Sequence, residues 1–313
     1  MAQPSETFDT YDSIGEREDL SDVIYNISPT DTPFLSSAAK TQATAVLHEW
    51  QTDSLASAVT NNAVIEGDEA TADAVTATTR LSNSSQILDK VVTITGTQEA
   101  VDKAGRASEI AYQIAKKAKE LKRDLESSLT SNNAEVTGSA STARQLGGLG
   151  SWVATNDVFG SGGASGSLGN TARTNGTQRA FTEAQLKSVI KSVWNAGGNP
   201  QIIMVGPFNK QKLSGFTGNS TRFDAGADAT LYTSVDVYAS DFGQTQVIPN
   251  RFSRDRDAWV LDMDYWGVAF LRDFSMHELA KTGDTEKRQL LVECTLESRN
   301  EAASGLIADL TTS

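Results

Sequence analysis

Cys294 is the only cysteine in this 313-residue chain, so no intrachain disulfide can form and a reducing compartment suits its folding. Histidine is almost as scarce. His48 and His277 are the only two, and neither lies near a serine or cysteine motif that nucleophile-histidine-acid catalysis would need. No apolar run approaches the ~18 residues of a membrane span, and Met1 to Ser5 lack the basic and then apolar pattern of a secretory signal. Neither insertion into a membrane nor export by a signal peptide is expected, which leaves bacterial or host cytoplasm as the compartment. Basic residues are also few, 27 against 40 acidic ones, giving a net charge of -13. The surface as a whole repels nucleic acid, and sequence-specific DNA binding is not expected.

The most telling absence is local. From Gln51 to Ala111 there is no Phe, Tyr, Trp or Pro, and Val46 to Thr95 is rich in Thr, Ala, Ser, Asn and Val. Such a stretch reads as extended β structure with too few large side chains for a core of its own. A lone two-stranded hairpin is marginal in water, so neighbouring subunits are expected to supply the missing burial. Sixteen of the 22 aromatic residues lie from Trp152 onward, which puts the core mainly in the second half.

What is present fits an assembling chain. Glu16 to Ile27 can form a short helix, after which Pro29 and Pro33 force extended backbone, so the first segment reads as an arm. Extended runs at Val46 to Gln51 and Gln86 to Thr95 flank an acidic turn around Gly67, and the hairpin between them carries Asp53, Glu66, Asp68, Glu69, Asp73 and Asp89 against Arg80 alone. Thr95 with Gln98 has the spacing of a capping box. From there Val101, Ala104, Ala107, Ile110, Ile114, Ala118, Leu121, Leu125 and Leu129 keep three- and four-residue spacing, which predicts one helix of roughly 45 Å at ~1.5 Å per residue. Gly105 is its weak point. Its other face carries Lys116, Lys117, Lys119, Lys122 and Arg123. The acidic tip Glu66, Asp68 and Glu69 and this basic face are the candidate assembly contact, one subunit to the next.

Asn132 to Thr182 holds ten of the 24 glycines and is expected to be loop, mobile at the surface from Gly160 to Gly169. A second unit then begins. Thr182 and Gln185 form a capping box for a helix closed by Gly197-Gly198, and short strands are expected at Gln201 to Val205, Ser234 to Ala239, Gln244 to Ile248, Ala258 to Asp262 and Trp266 to Leu271. In the last strand Leu290, Val292, Cys294 and Leu296 alternate with Glu293, Thr295 and Glu297, so Cys294 should be buried and inert. Asp255, Asp257, Asp262 and Asp264 are the densest carboxylates, but their spacing is not that of a calcium loop and Arg254 and Arg256 interleave. No phosphate-binding glycine motif occurs. No catalytic, cofactor or metal residue is assigned.

The order of parts resembles the major capsid proteins of tailed bacteriophages with the Hong Kong 97-like fold. The stretches that carry the likeness are Arg17 to Pro29 with Thr32-Pro33-Phe34-Leu35, Gly96 to Val101, Leu279 to Asp284, and Glu293 to Glu297. The resemblance implies an α+β fold with an N-terminal arm at 1–45, an E-loop hairpin at 46–95, a peripheral domain at 96–180 and 251–300 with a spine helix at 97–129, and a mixed α/β axial domain at 181–250 and 301–313. It implies self-assembly into hexamers and pentamers of an icosahedral head. The expected partners are a portal, decoration or scaffolding proteins, and packaged DNA held without sequence-specific binding. The place is the virion capsid, reached through the host cytoplasm. A cellular nanocompartment shell of the same fold is the nearest rival, and a hydrolase using the Asp255 to Asp264 carboxylates a more distant one.

Overall fold

The structure, a computed structural model, describes residues 31–70, 72–216 and 236–313. Residues 1–30 of the arm, with its expected helix at Glu16 to Ile27, lie outside the described residues. In chain order the elements begin with α1 (Pro33–Ser37), β1 (Ala39–Gln42), β2 (Leu47–Thr52), β3 (Thr79–Ser84) and β4 (Gln86–Thr95). The middle of the chain holds α2 (Gly96–Ala100), α3 (Glu109–Leu129), α4 (Leu149–Trp152), β5 (Asp157–Val158), α5 (Glu183–Asn195), β6 (Ile202–Val205) and α6 (Pro207–Ser214). The rest is β7 (Val237–Ser240), β8 (Gly243–Pro249), β9 (Ala258–Leu261), β10 (Trp266–Leu279), β11 (Thr285–Ser298) and β12 (Gly305–Ile307).

Two sheets organise the subunit. One has four strands in the order β1-β10-β11-β4, with β10, β11 and β4 antiparallel and β1 parallel to β10. The helix α3 lies across it, burying Leu121, Leu125 and Leu129 with Leu88, Val292 and Leu296 in one cluster. The other has six strands in the order β5-β12-β9-β6-β8-β7. Its central strands alternate: Ile203, Val205, Ala258, Val260 and Ile307 face α5, where they meet Leu186, Val189, Ile190 and Val193. Ile202, Met204, Trp259, Leu261 and Leu306 point the other way, into the cluster beneath α3. Because successive strand side chains take opposite faces, this sheet separates the two cores while belonging to both. β5 and β9 lie in it, so the implied peripheral segments 96–180 and 251–300 each contribute a strand to the sheet of 181–250.

Four expectations need correction. Pro33 does not extend the backbone but opens the helix α1, because at the first helical position its missing N–H and fixed φ suit a helix start. The stripe from Val101 to Leu129 is not one helix. α2 ends at Ala100, Gly105 takes a left-handed φ of +74°, and α3 starts afresh at Glu109 behind the Ser108 cap, which accepts from the Ala111 amide. The Glu99 carboxylate turns back to accept from the Glu109 and Ile110 amides at 3.0 and 3.3 Å, so the break is capped twice. The continuous helix is therefore 21 residues, about 31 Å at ~1.5 Å each.

The hairpin is also shorter in its pairing. β2 pairs with β3, Leu47 opposite Ser84 and Thr52 opposite Thr79, whereas Gln86 to Thr95 leaves the hairpin and joins β11 as β4. Ser85 is the crossover, its amide bonded to the Val46 carbonyl and its hydroxyl to Glu293. The turn at the tip is where the sequence placed it: Gly67 has φ +83° and the Asp68 amide reaches the Ile65 carbonyl at 3.0 Å.

The glycine-rich segment is packed rather than loose. Isolated bridges join Ala164 to Thr174 and Ser167 to Thr171. A Cβ on Gly166 would stand 2.7 Å from the Ser151 carbonyl, and one on Gly169, at φ +85°, 2.8 Å from the Trp152 ring. Glycine there allows close approach of chain to core, which composition alone reads as mobility.

Candidate assembly interface

Asp53 to Thr78, between the hairpin strands, holds no helix or strand among its described residues, and every one of those residues is exposed. Leu55 is 99% and Val75 96% exposed, and Val59, Val64 and Ile65 are exposed with them. Glu66, Asp68 and Glu69 sit at the outer turn, all exposed. Five aliphatic side chains thus stand in water on one loop, the kind of exposed apolar surface that marks an interaction site.

The root of this loop is fixed as firmly as the loop itself is bare. The Trp50 indole donates to the Ser298 carbonyl at 2.7 Å and its ring lies 5.4 Å from that of the fully buried Trp152. Across the hairpin the buried Asn83 amide donates to the Leu296 and Gly147 carbonyls and accepts from the Gly147 amide. His48 Nε2 stands 3.5 Å from Glu297 Oε2. That contact, opposed by burial and helped by Arg299 and Thr41 at 3.0 Å each, holds the Glu297 carboxyl down at about 2. Tryptophan, histidine and asparagine at the roots of the strands thus aim the loop.

The basic face of α3 is only partly free. Lys116, Lys119 and Lys122 are exposed, Lys117 pairs with Glu120 at 2.7 Å, Lys122 lies over the Phe274 ring and Arg123 over the Phe252 ring. Among the described residues no ion pair joins the acidic tip to this face within one subunit.

Sequence reasoning missed a carboxylate at the centre of the fold. Glu126, on α3 and fully buried, accepts from the Phe34 and Leu35 amides at 2.8 Å each and from the Asn250 side-chain amide at 2.7 Å. It supplies the N-terminal cap that Thr32 does not give α1. Burial, with no cation beside it, pushes its carboxyl upward against the pull of those bonds. One side chain therefore ties together the described end of the arm, the long helix and the residue that follows β8. The only hint in the sequence is an acidic residue beside the apolar stripe.

The Asp255 to Asp264 carboxylates do separate structural work. Asp257 is buried against Arg254 at 3.0 Å, with its carboxyl pushed up by burial. Asp262 accepts the Asn199 and Asp264 amides, and Asp264 accepts from Gln201. Among the described residues no three His, Cys, Asp or Glu side chains are grouped to hold a metal, and no helix is long and apolar enough to cross a membrane. Cys294 is buried, and burial pushes its thiol up to about 12.

A family model described as SU10 major capsid protein matches residues 3–311. The major capsid protein of Escherichia phage Phieco32 is 30% identical over 345 aligned residues, covering 98% of this chain and 97% of that one. Among solved structures, a chain of the cyanophage A-1(L) capsid asymmetric unit gives a TM-score of 0.68 at 12% identity, covering 97% of this chain and 99% of that one. An encapsulin from Synechococcus elongatus gives 0.55 at 13% identity, covering 95% and 93%. At these identities the two structures speak to the fold, which is Hong Kong 97-like.

Proposed function

The chain belongs to the SU10 major capsid protein family, and from that premise we propose how this phage capsid protein builds its shell. Copies close into hexamers and pentamers of an icosahedral head, held in part by the loop from Asp53 to Thr78 reaching across to a neighbour. The observation that carries this reading is the pairing of a rigid root with a bare loop: Trp50, His48 and Asn83 fix its direction while Leu55, Val59, Val64, Ile65 and Val75 stay in water. The acidic tip then meets Lys116, Lys119 and Lys122 of the next subunit. Segments 96–180 and 251–300 form the peripheral part and 181–250 with 301–313 the axial part, sharing the six-stranded sheet as their seam.

An acidic shell suits a packaged genome that is confined sterically and not gripped, so DNA is a content of the head and not a sequence-specific ligand. A portal at one vertex and scaffolding or decoration proteins complete the particle, which forms in the host cytoplasm. The chain performs no catalysis. A nanocompartment shell has the same fold but a different content, and genome-filled heads with a tail vertex separate the two.

Replacing Asp53 to Thr78 by a short Gly-Ser turn tests the reading. Both cores lie outside that stretch, so the subunit should keep a cooperative melt but remain a monomer or small oligomer. Normal closed shells from the shortened chain would refute the role of the loop.

A further inference from the structure

Four arginines converge behind the glycine-rich segment. Arg173 and Arg179 belong to that segment, Arg254 and Arg256 to the turn before β9, and between them they share the carboxylates Asp257 and Asp309. Part of the cluster is fully paired. Arg256 Nη2 donates to Asp309 Oδ1 at 2.7 Å and to the Gly176 carbonyl at 2.8 Å, and Arg254 Nη2 donates to Asn175 Oδ1 at 2.6 Å. Arg254 Nη1 and Asp257 Oδ2 form an ion pair at 3.0 Å, and Asp309 Oδ2 accepts from the Gly160 amide at 3.0 Å.

Arg173 stands apart. Its side chain is 1% exposed, its ion pair to Asp309 Oδ2 spans 3.9 Å, beyond hydrogen-bond reach, and its Nε, Nη1 and Nη2 all lack a hydrogen-bond partner among the described residues. A buried polar group normally finds a partner, so three orphaned nitrogens on one guanidinium need an explanation. Arg179 Nε and Nη2 and Arg256 Nε are buried without a partner as well, whereas the oxygens left over in the cluster are Asp157 Oδ2 and Asp257 Oδ1. Donors outnumber acceptors. A guanidinium only donates, and a water that accepts from it has two hydrogens of its own to place where few acceptors are free. An oxyanion only accepts, matches the planar fork bidentately, and supplies negative charge. Burial, which pushes the Asp257 carboxyl toward its neutral form, leaves the arginines still less balanced, and Asp309 is already engaged by Arg256 and the Gly160 amide.

A cleft of about 360 Å³ leads to the cluster, with Ser131, Asn132, Phe252, Ser253 and Arg254 among its walls. Asn132, in that wall, holds the Arg173 backbone, donating to its carbonyl at 2.8 Å and accepting from its amide at 2.9 Å. The C-terminal end of α3 opens on the same cleft and favours cations at the mouth. An anion therefore belongs deeper, at Arg173.

We infer that Arg173, with Arg254 between it and the cleft, is the seat of a small tetrahedral oxyanion of the phosphate class. Arg173 binds it through paired N–H groups, and Arg179 and Arg254 add their charge. The ligand is a free ion and not a nucleic-acid backbone, because a polymer cannot reach a side chain that is 1% exposed. Bound there, it joins the glycine-rich segment to the turn before β9 and, through Arg256 and Asp309, to the residues after β12. Subunit stability then depends on the concentration of the ion.

Equilibrium dialysis of the purified full chain against radiolabelled inorganic phosphate, in a buffer otherwise free of oxyanions, tests it. Stoichiometric binding is expected, with sulfate competing and chloride at equal ionic strength not. Phosphate at about a hundredfold above its Kd should raise the Tm of unassembled subunits by on the order of 4 °C. Arg173→Met, which keeps an apolar stem of similar length and removes the donors, should abolish binding. Should that variant fail to fold, Asn175→Asp decides, because this exposed position sets a further carboxylate against Arg254 and should weaken phosphate binding about tenfold. No retained phosphate, or an equal rise in Tm with chloride, would mean water or general screening and would overturn the proposal, as would undiminished binding by either variant. A short single-stranded oligonucleotide that displaces phosphate would make a nucleic-acid backbone the ligand and would overturn the free ion.

Discussion

Replacing Glu126 with glutamine keeps the shape of the side chain and removes the charge that caps α1 from 92 residues away. The carboxylate has two oxygens on two backbone amides and a third bond from Asn250. The amide of glutamine offers one acceptor oxygen, and its NH2 then faces an N–H. One charge-assisted bond, worth about 1.5–3 kcal/mol, is lost and one buried donor is left facing another, at about 1–3 kcal/mol. Against this stands relief of a buried charge that has no cation beside it, so the net cost is about 2–4 kcal/mol. In a chain of 313 residues that lowers Tm by on the order of 3–6 °C. Denaturant melts of unassembled subunits measure the cost, and hydrogen exchange locates it: the Phe34 and Leu35 amides should exchange faster while the α5 amides do not change. The sign of the pH dependence is also fixed. The native Glu126 carboxyl sits above its usual value, so its contribution favours the fold below the unfolded pKa and is lost as pH rises through the native one. A stability change under about 0.5 kcal/mol, typical of surface substitutions, with unchanged exchange at Phe34 and Leu35 would refute the capping role.

Reversing Glu66, Asp68 and Glu69 together to lysine should weaken assembly and change its salt dependence, since each exposed pair is worth about 0–1 kcal/mol and the effect comes from repetition around a shell. Assembly unchanged from low to high salt would count against the tip contact. Cys294→Val should assemble normally and the native thiol should resist labelling in folded subunits, because burial pushes it up to about 12; rapid labelling would contradict this. Glu297, held at about 2, contributes stability above the unfolded carboxyl value near ~4.5 that is lost as pH falls toward 2. Tryptophan fluorescence should report loosening of Trp50 over that acid range, and Glu297→Gln should abolish that part of the transition.

Much of the fold was legible because periodicity reports burial. Leu121, Leu125 and Leu129 read as the buried stripe of α3, the Thr182 and Gln185 capping box opens α5 with both of its bonds formed, and Cys294 sits where alternation placed it. What escaped was whatever periodicity does not encode. The stripe stays in phase from Val101 through Ala107, so only the left-handed Gly105 and the Ser108 cap reveal that the helix stops and restarts. An extended run looks alike whether it continues a hairpin or joins another sheet, so the crossover at Ser85 was invisible. Glycines that let Trp152 pack against the backbone have the composition of a mobile loop. Of the candidate interface, the acidic tip and lysine face could be named from charge, whereas the root that Trp50, His48 and Asn83 make with Ser298, Glu297 and Leu296 exists only through contacts between residues distant in sequence.

The central claim is that this chain closes into a shell by itself reaching from copy to copy. Electron microscopy of the purified, concentrated protein tests it most directly. The account predicts closed icosahedral particles whose density shows the Asp53 to Thr78 loop lying on the neighbouring subunit; dispersed subunits across assembly conditions, or shells in which the loop contacts only its own subunit, would contradict it.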